Sequence, residues 1–480
     1  MRTIDRYKLS FTFPLLILIL LLSGNTFAAD ENLVFDLKTH QPLELAPYNT
    51  QLIFSNGQLC ALTIIKGKIL YFKENGPQWV ELQRFGPQDI NLTTFVVKDL
   101  NNDEVPEIIA GTEAPGLIYI YTLMNDQCSI VNYGKHVWST INKIIVGNLS
   151  QAGSQELLVQ NDEGYFFLLK PSVNSLDLVW KSPEIWKPIS DAVVVDIDGD
   201  SVEEILVVYK TGGIAVLKIE NSAIVSVWEN YPWGKILGLT VGDWDNDQKL
   251  EGIFSTSQKI LYVLGENEGE FQYERQFSNF DRVVEKLSFI NCEGLKALVT
   301  TDIAGHLKAL QFDFKKGKWV ERLNNQVGRI RQIIQPHEER ILLWSSNRQV
   351  IELTSYKSLS LQVNYEDGQY QLWPNAISLN NQIYVPPKAL ANFCGYDFLY
   401  NEETKTYTIS TNERTIEISE NELNLVSIDG LSKITLPFVP IIFSNELYFP
   451  IDTLRSLLNL KLVFNLEDQS ISIFDQVLFE

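Results

Sequence analysis

Between Asp191 and Trp228, apolar runs alternate with polar breaks. They read Ala192–Val195, an acidic loop, Ile205–Tyr209, a turn at Thr211-Gly212-Gly213, Ile214–Ile219, a turn at Glu220-Asn221-Ser222, then Ile224–Trp228. The runs are short, rich in Val and Ile, and carry no 3.6-residue period. They predict four strands joined by tight turns.

The block recurs. An apolar residue, an acidic stretch and a second apolar run follow one another at Val97–Ile109, Val195–Leu206 and Gly242–Ile253, with a worn copy at Gly147–Leu158. The markers Asp99, Asn148, Asp196 and Asp243 lie 49, 48 and 47 residues apart. Vestiges in phase at Ser288, at Gln332 and near Leu52 extend the period to seven units between about residue 33 and residue 360. Four strands per unit of 40–50 residues is the pattern of a β-propeller blade. The fold class expected is therefore mainly β, with a seven-bladed β-propeller over 33–360. Leu33–Leu37 precedes the first full unit and is expected to complete the last sheet near Gln349–Leu353, because an open ring leaves unpaired edges. Trp79, Tyr133, Trp180, Trp228, Tyr273 and Trp319 recur about once per unit. Such regularity points to packing between blades before it points to a sugar platform.

The acidic loops put chemistry into this frame. Asp196, Asp198 and Asp200 place three carboxylates within five residues, with Glu204 at the ninth position; Asp243, Asp245, Asp247 and Glu251 repeat the arrangement; Asp99, Asn101, Asp103 and Glu107 do so with one neutral oxygen. Like charges this close repel unless water or a cation screens them. Calcium takes six to eight oxygens at flexible geometry, which such a loop can largely supply. The alternative is a solvated turn whose Asp and Asn side chains cap their own backbone N–H groups. An EF-hand is excluded, since the flanks are strands and the twelfth positions are Val207, Phe254 and Ala110. The loops resemble the FG-GAP/VCBS repeats of integrin-type propellers, whose pattern is Asp-x-Asp-x-Asp-Gly-x-x-Asp before an apolar strand. That resemblance implies structural calcium at these twelve residues. The chain departs from the pattern in having Glu104, Ser201 and Gln248 where the repeats have Gly.

Near residue 365 the period changes. Asn380–Leu390 matches Ser444–Leu454 at an offset of 64, and the match continues from Phe393 over Leu457 to Thr406–Ile409 over Ser470–Ile473. Each copy reads as a strand, a short helix (Pro387–Phe393; Ile451–Leu458) and a hairpin, which predicts a small α+β domain over 370–475. Pro387 suits a helix start, where its missing N–H would be unpaired anyway. The doubled pattern resembles the copper amine oxidase N-terminal-like domain, an accessory stalk in that family, with catalysis in a separate domain. The resemblance therefore implies an attachment or interaction module and no oxidase activity. Asn364-Tyr365-Glu366-Asp367 is similar to the site where the oxidases make their quinone, but its fourth residue is Asp367 rather than Tyr. Copper needs several imidazoles. The chain has only His40, His136, His306 and His337, none spaced i, i+2, so no copper is expected.

The remaining features concern address and partner. Arg2, Arg6 and Lys8 precede an apolar run from Phe11 to Leu22, and small residues follow at Thr26–Ala29, the layout of a signal peptide over 1–28. A run of about 12 residues is short for a membrane span. The mature chain is expected to lack one and to be secreted or associated with a cell envelope. With 39 Lys+Arg against 60 Asp+Glu the net charge is −21, which argues against nucleic acid and anionic lipid as partners. Cys60, Cys128, Cys292 and Cys394 are scattered and read as small buried hydrophobes. No nucleophile elbow, phosphate loop or His-Glu-x-x-His is present. The function expected is a non-catalytic binding or scaffold protein of the bacterial cell envelope, with an envelope protein or polysaccharide as partner. The alternative is a propeller enzyme, a quinone-dependent dehydrogenase or a hydrolase.

Overall fold

The computed structural model describes residues 32–474, apart from Gln41, 44–49 and scattered segments of one to four residues. Residues 1–28, read above as a signal peptide, lie outside the described residues, as do Glu366 and Asp367. The chain is mainly β and divides into two compact units, one of Leu33–Tyr356 and one built on Lys357–Glu480.

The first unit is a series of similar sheets. Six four-stranded antiparallel sheets cover 50–85, 92–133, 141–181, 189–230, 236–277 and 284–326, each with its strands in chain order. A further sheet holds Ile330–His337, Arg340–Ser345 and Val350–Leu359, and Asn32–Thr39 pairs with the last of these. The arrangement is propeller-like. Side chains join one sheet to the next: Gln51 Nε2 donates to the Phe95 carbonyl at 3.3 Å and its Oε1 accepts the Val97 N–H at 3.1 Å. The last sheet reaches the first in the same way, where Gln332 Nε2 donates to the Thr50 carbonyl at 3.2 Å. Leu52 and Ala61 share a core with Leu342, Trp344 and Val350.

Burial explains the sequence pattern. Glu107–Thr112, Glu156–Asn161, Glu204–Tyr209 and Glu251–Thr256, each second in its sheet, are buried along their whole length. Strands covered on both faces need continuous apolar runs rather than alternation. The outermost strands, such as Ala223–Asn230, are half exposed. The recurring aromatics pack in the cores: Trp228 meets Tyr273 of the next sheet edge-on at 5.4 Å between ring centroids, and Trp180 lies against the cluster that includes Ile205 and Val207. Cys60, Cys128 and Cys292 are buried free thiols and Cys394 is a half-buried one.

In the second unit the two sequence copies pair through their equivalent strands. Gln382–Val385 runs antiparallel to Glu446–Pro450, with Tyr384 opposite Pro450 and Val385 opposite Phe449. Each strand feeds a helix, Pro387–Cys394 in one copy and Ile451–Leu458 in the other. Leu390 and Leu454, 64 residues apart, are both fully buried in one core with Val385 and Phe449. Ile451, Leu454, Leu457 and Leu458 form the buried helical stripe.

Candidate functional site: the acidic loops

Four of the sheets share one device between their first two strands. The ninth residue of the loop pattern is a glutamate: Glu107, Glu156, Glu204 or Glu251. Each opens the second strand, and each is at most 5 % exposed. Register fixes its place. Lys98 faces Glu107, Gly147 faces Glu156, Val195 faces Glu204 and Gly242 faces Glu251. Each carboxylate then turns back and accepts the N–H of the residue seven positions earlier: Leu100 at 2.8 Å, Leu149 at 3.0 Å, Ile197 at 2.9 Å and Trp244 at 3.0 Å. A buried acceptor that closes its own loop is a reason for Glu at this position whether or not a metal binds.

The first aspartate closes the turn from the other side. Asp196 accepts the N–H groups of Gly199 and Ser201, at 2.8 and 3.0 Å, and Asp243 those of Asn246 and Gln248, at 2.7 and 3.2 Å. Ser201 and Gln248 adopt φ of 70° and 74°. That left-handed conformation costs a side chain roughly 1–2 kcal/mol, so the loop forms without Gly but under strain.

The four loops differ in what neutralises the buried glutamate. In the Asp196 loop, Lys218 reaches in from the third strand of the sheet. Its Nζ hydrogen-bonds Asp198, lies 3.1 Å from Glu204 and 4.0 Å from Asp200. Burial works against the charged lysine, but Asp198 and Glu204 hold its pKa above the ordinary value. Lys170, in the equivalent place, stands 3.9 Å from Glu156, whose Oε1 also accepts the Ser150 hydroxyl at 2.5 Å. Opposite Glu107 the residue is Thr122. In the Asp243 loop the position falls to Gly265, beside Leu264 in register. A Cβ there would come within 2.0 Å of Glu274 Oε1, so the missing side chain admits a further carboxylate in place of a lysine. Burial pushes Glu251 up to about 8, with Glu274 and Asp245 adding to the shift. Burial raises Asp245 and Glu274 as well. Lys296, from the neighbouring sheet, lies 2.6 Å from Asp243.

The twelve residues read from sequence thus divide. Oxygens of Asp196, Asp198 and Glu204 come within 4.8 Å of one another, and so do those of Asp243, Asp245 and Glu251. Asp200 and Asp247 stay outside these groups, each accepting the N–H two residues on, from Val202 at 2.7 Å and Lys249 at 2.8 Å. Among the described residues, Asp99, Asn101, Asp103 and Glu107 form no such convergent group. Asn101 Nδ2 donates to Asp103 Oδ2 at 3.0 Å and Asn101 Oδ1 accepts the Asp103 N–H at 3.0 Å, the pattern of a self-capped turn. Glu156, Lys218, Lys296 and Gly265 were not singled out by sequence; Glu156 carried the signal of the repeat itself.

The second unit brings its own resemblance. Residues 362–473 match the family model of the copper amine oxidase N-terminal domain. The match spans the paired copies described above and leaves Leu33–Tyr356 uncovered. The matched segment contains no histidine. Comparison with curated proteins gives no match. Among solved structures, BBS1N in complex with ARL6DN is 11% identical with a TM-score of 0.45, over 68% of this chain and 97% of that one. Sqt1 of Saccharomyces cerevisiae is 13% identical with a TM-score of 0.44, over 62% of this chain and 82% of that one. A chain of the mitotic checkpoint complex is 8% identical with a TM-score of 0.46, over 66% and 90%. Likenesses this loose carry no functional argument.

If the ammonium of Lys218 serves as the resident cation of its loop, removing it exposes a need. Lys218→Ala is expected to lower stability by about 2–3 kcal/mol, because Asp198 and buried Glu204 lose their partner. Millimolar calcium should restore part of that loss in the variant and change wild type less. Urea unfolding with and without calcium reads the difference; equal calcium responses in the two proteins would show that Lys218 is not occupying a cation position.

Proposed function

We propose that the chain is an exported, non-catalytic binding or scaffold protein of the bacterial cell envelope. Its propeller would present a face to a protein or polysaccharide, and its C-terminal domain would serve as an attachment module. The observation that carries this reading is the recurrence of one loop device in four sheets, with the acidic side chains spent on the loop's own backbone. Those carboxylates serve architecture, which suits a repeat scaffold. A seven-bladed closed ring over 33–360 is part of the proposal. It is supported by the pairing of Asn32–Thr39 with Val350–Leu359 and by the Gln332 bond to Thr50. The sequence layout of residues 1–28 supports the export reading, and the family match over 362–473 supports the module.

Calcium belongs to the same proposal as a structural ion. The Asp243 loop fits it best: Asp243, Asp245 and Glu251 offer convergent hard oxygens, the set calcium prefers, and no lysine stands at Glu251. The Asp196 loop would bind more weakly, since calcium must displace Lys218 from both Asp198 and Glu204, whereas Lys296 is ion-paired with Asp243 alone of its three carboxylates. Among the described residues no comparable group of imidazoles comes together for copper.

The test is cosedimentation of the purified protein with cell envelopes isolated from its host. Retention at physiological salt, with release of a defined protein or glycan on elution, is the expected result. A protein that stays wholly in the supernatant and turns over a quinone-linked or hydrolysable substrate would favour the enzyme reading instead.

A further inference from the structure

Between the sheets 236–277 and 284–326 lies a cavity of about 470 Å³, within the range of ligand pockets, about 300–1,000 Å³. Its chemistry is unlike that of the acidic loops. Phe277, Phe280 and Trp319 line it, beside Asp302, His306 and Arg282. Asp302 is 6 % exposed and sits at the end of the strand Leu295–Asp302. It accepts the backbone N–H of His306 at 3.0 Å and is 3.0 and 3.2 Å from His306 Nδ1. Burial works to raise the Asp302 pKa, but His306 and Arg282 together hold it below the ordinary carboxylate value, so it is ionised. His306 Nδ1 thus faces Asp302, and no partner for Nε2 is present among the described residues, so Nε2 is left for a ligand.

Two demands follow for a ligand. An ionised aspartate accepts and the imidazole Nε2 needs a hydrogen-bond partner, and hydroxyl groups, which can both donate and accept, meet both needs. Arg282 makes the opposite demand. It is half exposed and only 3.5 Å from Asp302, a loose pair that leaves most of its fork free for an anion. Lys318 also lines the cavity and has no ion-pair partner among the described residues, whereas Lys308 is already engaged by Glu321 at 2.9 Å. A simple organic anion would be repelled by Asp302, and a neutral sugar would leave Arg282 and Lys318 unused. A sugar ring has an apolar C–H face for the aromatic wall, hydroxyls for Asp302 and His306, and, if acidic, a carboxylate for Arg282. We propose that this cavity binds a carboxylate-bearing sugar residue of an acidic polysaccharide.

The inference deepens the polysaccharide branch of the proposed function and rests on it. It is tested on the full chain by calorimetric titration with tetragalacturonate and with its methyl ester, in calcium-free buffer so that the oligosaccharide chelates nothing. The acid should bind, with the ester at least about tenfold weaker. Arg282→Ala should lose at least about tenfold for the acid with at most a small drop in thermal midpoint, since this half-exposed side chain makes one loose ion pair. Equal affinity for acid and ester, an unaffected Arg282→Ala, or no heat with either ligand would overturn the assignment. Envelope cosedimentation separates the two ideas. Wild type and Arg282→Ala sedimenting alike, with tetragalacturonate unbound, sinks the cavity and keeps the envelope reading. Tetragalacturonate binding without sedimentation does the reverse.

Discussion

Replacing Glu251 by Gln is expected to stabilise the calcium-free protein at pH 8, by up to about 4–5 kcal/mol. Glu251 is 1 % exposed and its pKa is pushed from 4.5 up to about 8 by burial. Below pH 4.5 the carboxyl is protonated whether the chain is folded or not, and it costs nothing. Between pH 4.5 and 8 the unfolded chain releases this proton and the folded one keeps it, so the folded state loses about 1.4 kcal/mol per pH unit. Gln keeps the oxygen that accepts the Trp244 N–H and cannot ionise. Calcium should reverse the order. Wild type would gain from an ionised Glu251 on the metal and the variant would not, and binding should tighten as pH rises because a proton must leave. Thermal midpoints at pH 5 and 8, in chelator and in millimolar calcium, measure both effects. A variant less stable than wild type in chelator at pH 8 would mean that Glu251 is charged and already satisfied in the apo protein.

The opposite pH dependence is expected at His40. Its Nδ1 lies 2.8 Å from Glu74 Oε2 and its Nε2 lies 2.8 Å from Glu352 Oε2, in a site where His40 is 7 % exposed. Both nitrogens must donate to two carboxylates, so the ring is an imidazolium. Arg340 Nε is 3.1 Å from Glu352 Oε1 and makes the cluster neutral, with Lys38 also near Glu352. Burial works against the charged ring, but its hydrogen bonds to Glu352 and Glu74 and their negative charge outweigh it and raise the pKa above 6.5. A raised histidine pKa contributes stability that is complete below 6.5 and is lost as pH rises through the folded value. His40→Gln should therefore cost about 3 kcal/mol at pH 6, in the range of a broken buried ion pair, and markedly less at pH 9. Urea titrations of both proteins at the two pH values give the double difference, in which Glu251 cancels. A penalty that does not change with pH would show that His40 acts by shape alone.

Much of the fold was legible because its signals are local. The run Ile205–Tyr209 needs only its own composition to read as a buried strand, and it lies within the strand Glu204–Tyr209. The helix Ile451–Leu458 has the bounds its pattern predicts. The acidic loops were legible as repeats for the same reason. What sequence could not supply is the partner that arrives from another strand. Lys218 lies 14 residues beyond Glu204, and Lys296 lies 53 beyond Asp243, in the next sheet. By composition the Asp196 and Asp243 loops look alike; at the buried glutamate one has the ammonium of Lys218 and the other a fifth carboxylate, Glu274. His40 was equally opaque: it looked isolated before the first repeat, yet it joins strands from the beginning and the end of the series.

The pairing of Asn32–Thr39 with Val350–Leu359 also sets an order in time. This strand, the first among the described residues, has no sheet to join until a strand more than 300 residues later has been made, and the His40 bond to Glu352 spans 312 positions. Each intervening hairpin can form from neighbours alone, whereas this joint must wait for the slowest kind of contact to assemble. During synthesis Asn32–Thr39 is therefore the last of the described strands within Leu33–Tyr356 to find its place. Truncating the chain anywhere before Val350 would leave Asn32–Thr39 an unmatched edge, open to the same strand of another molecule.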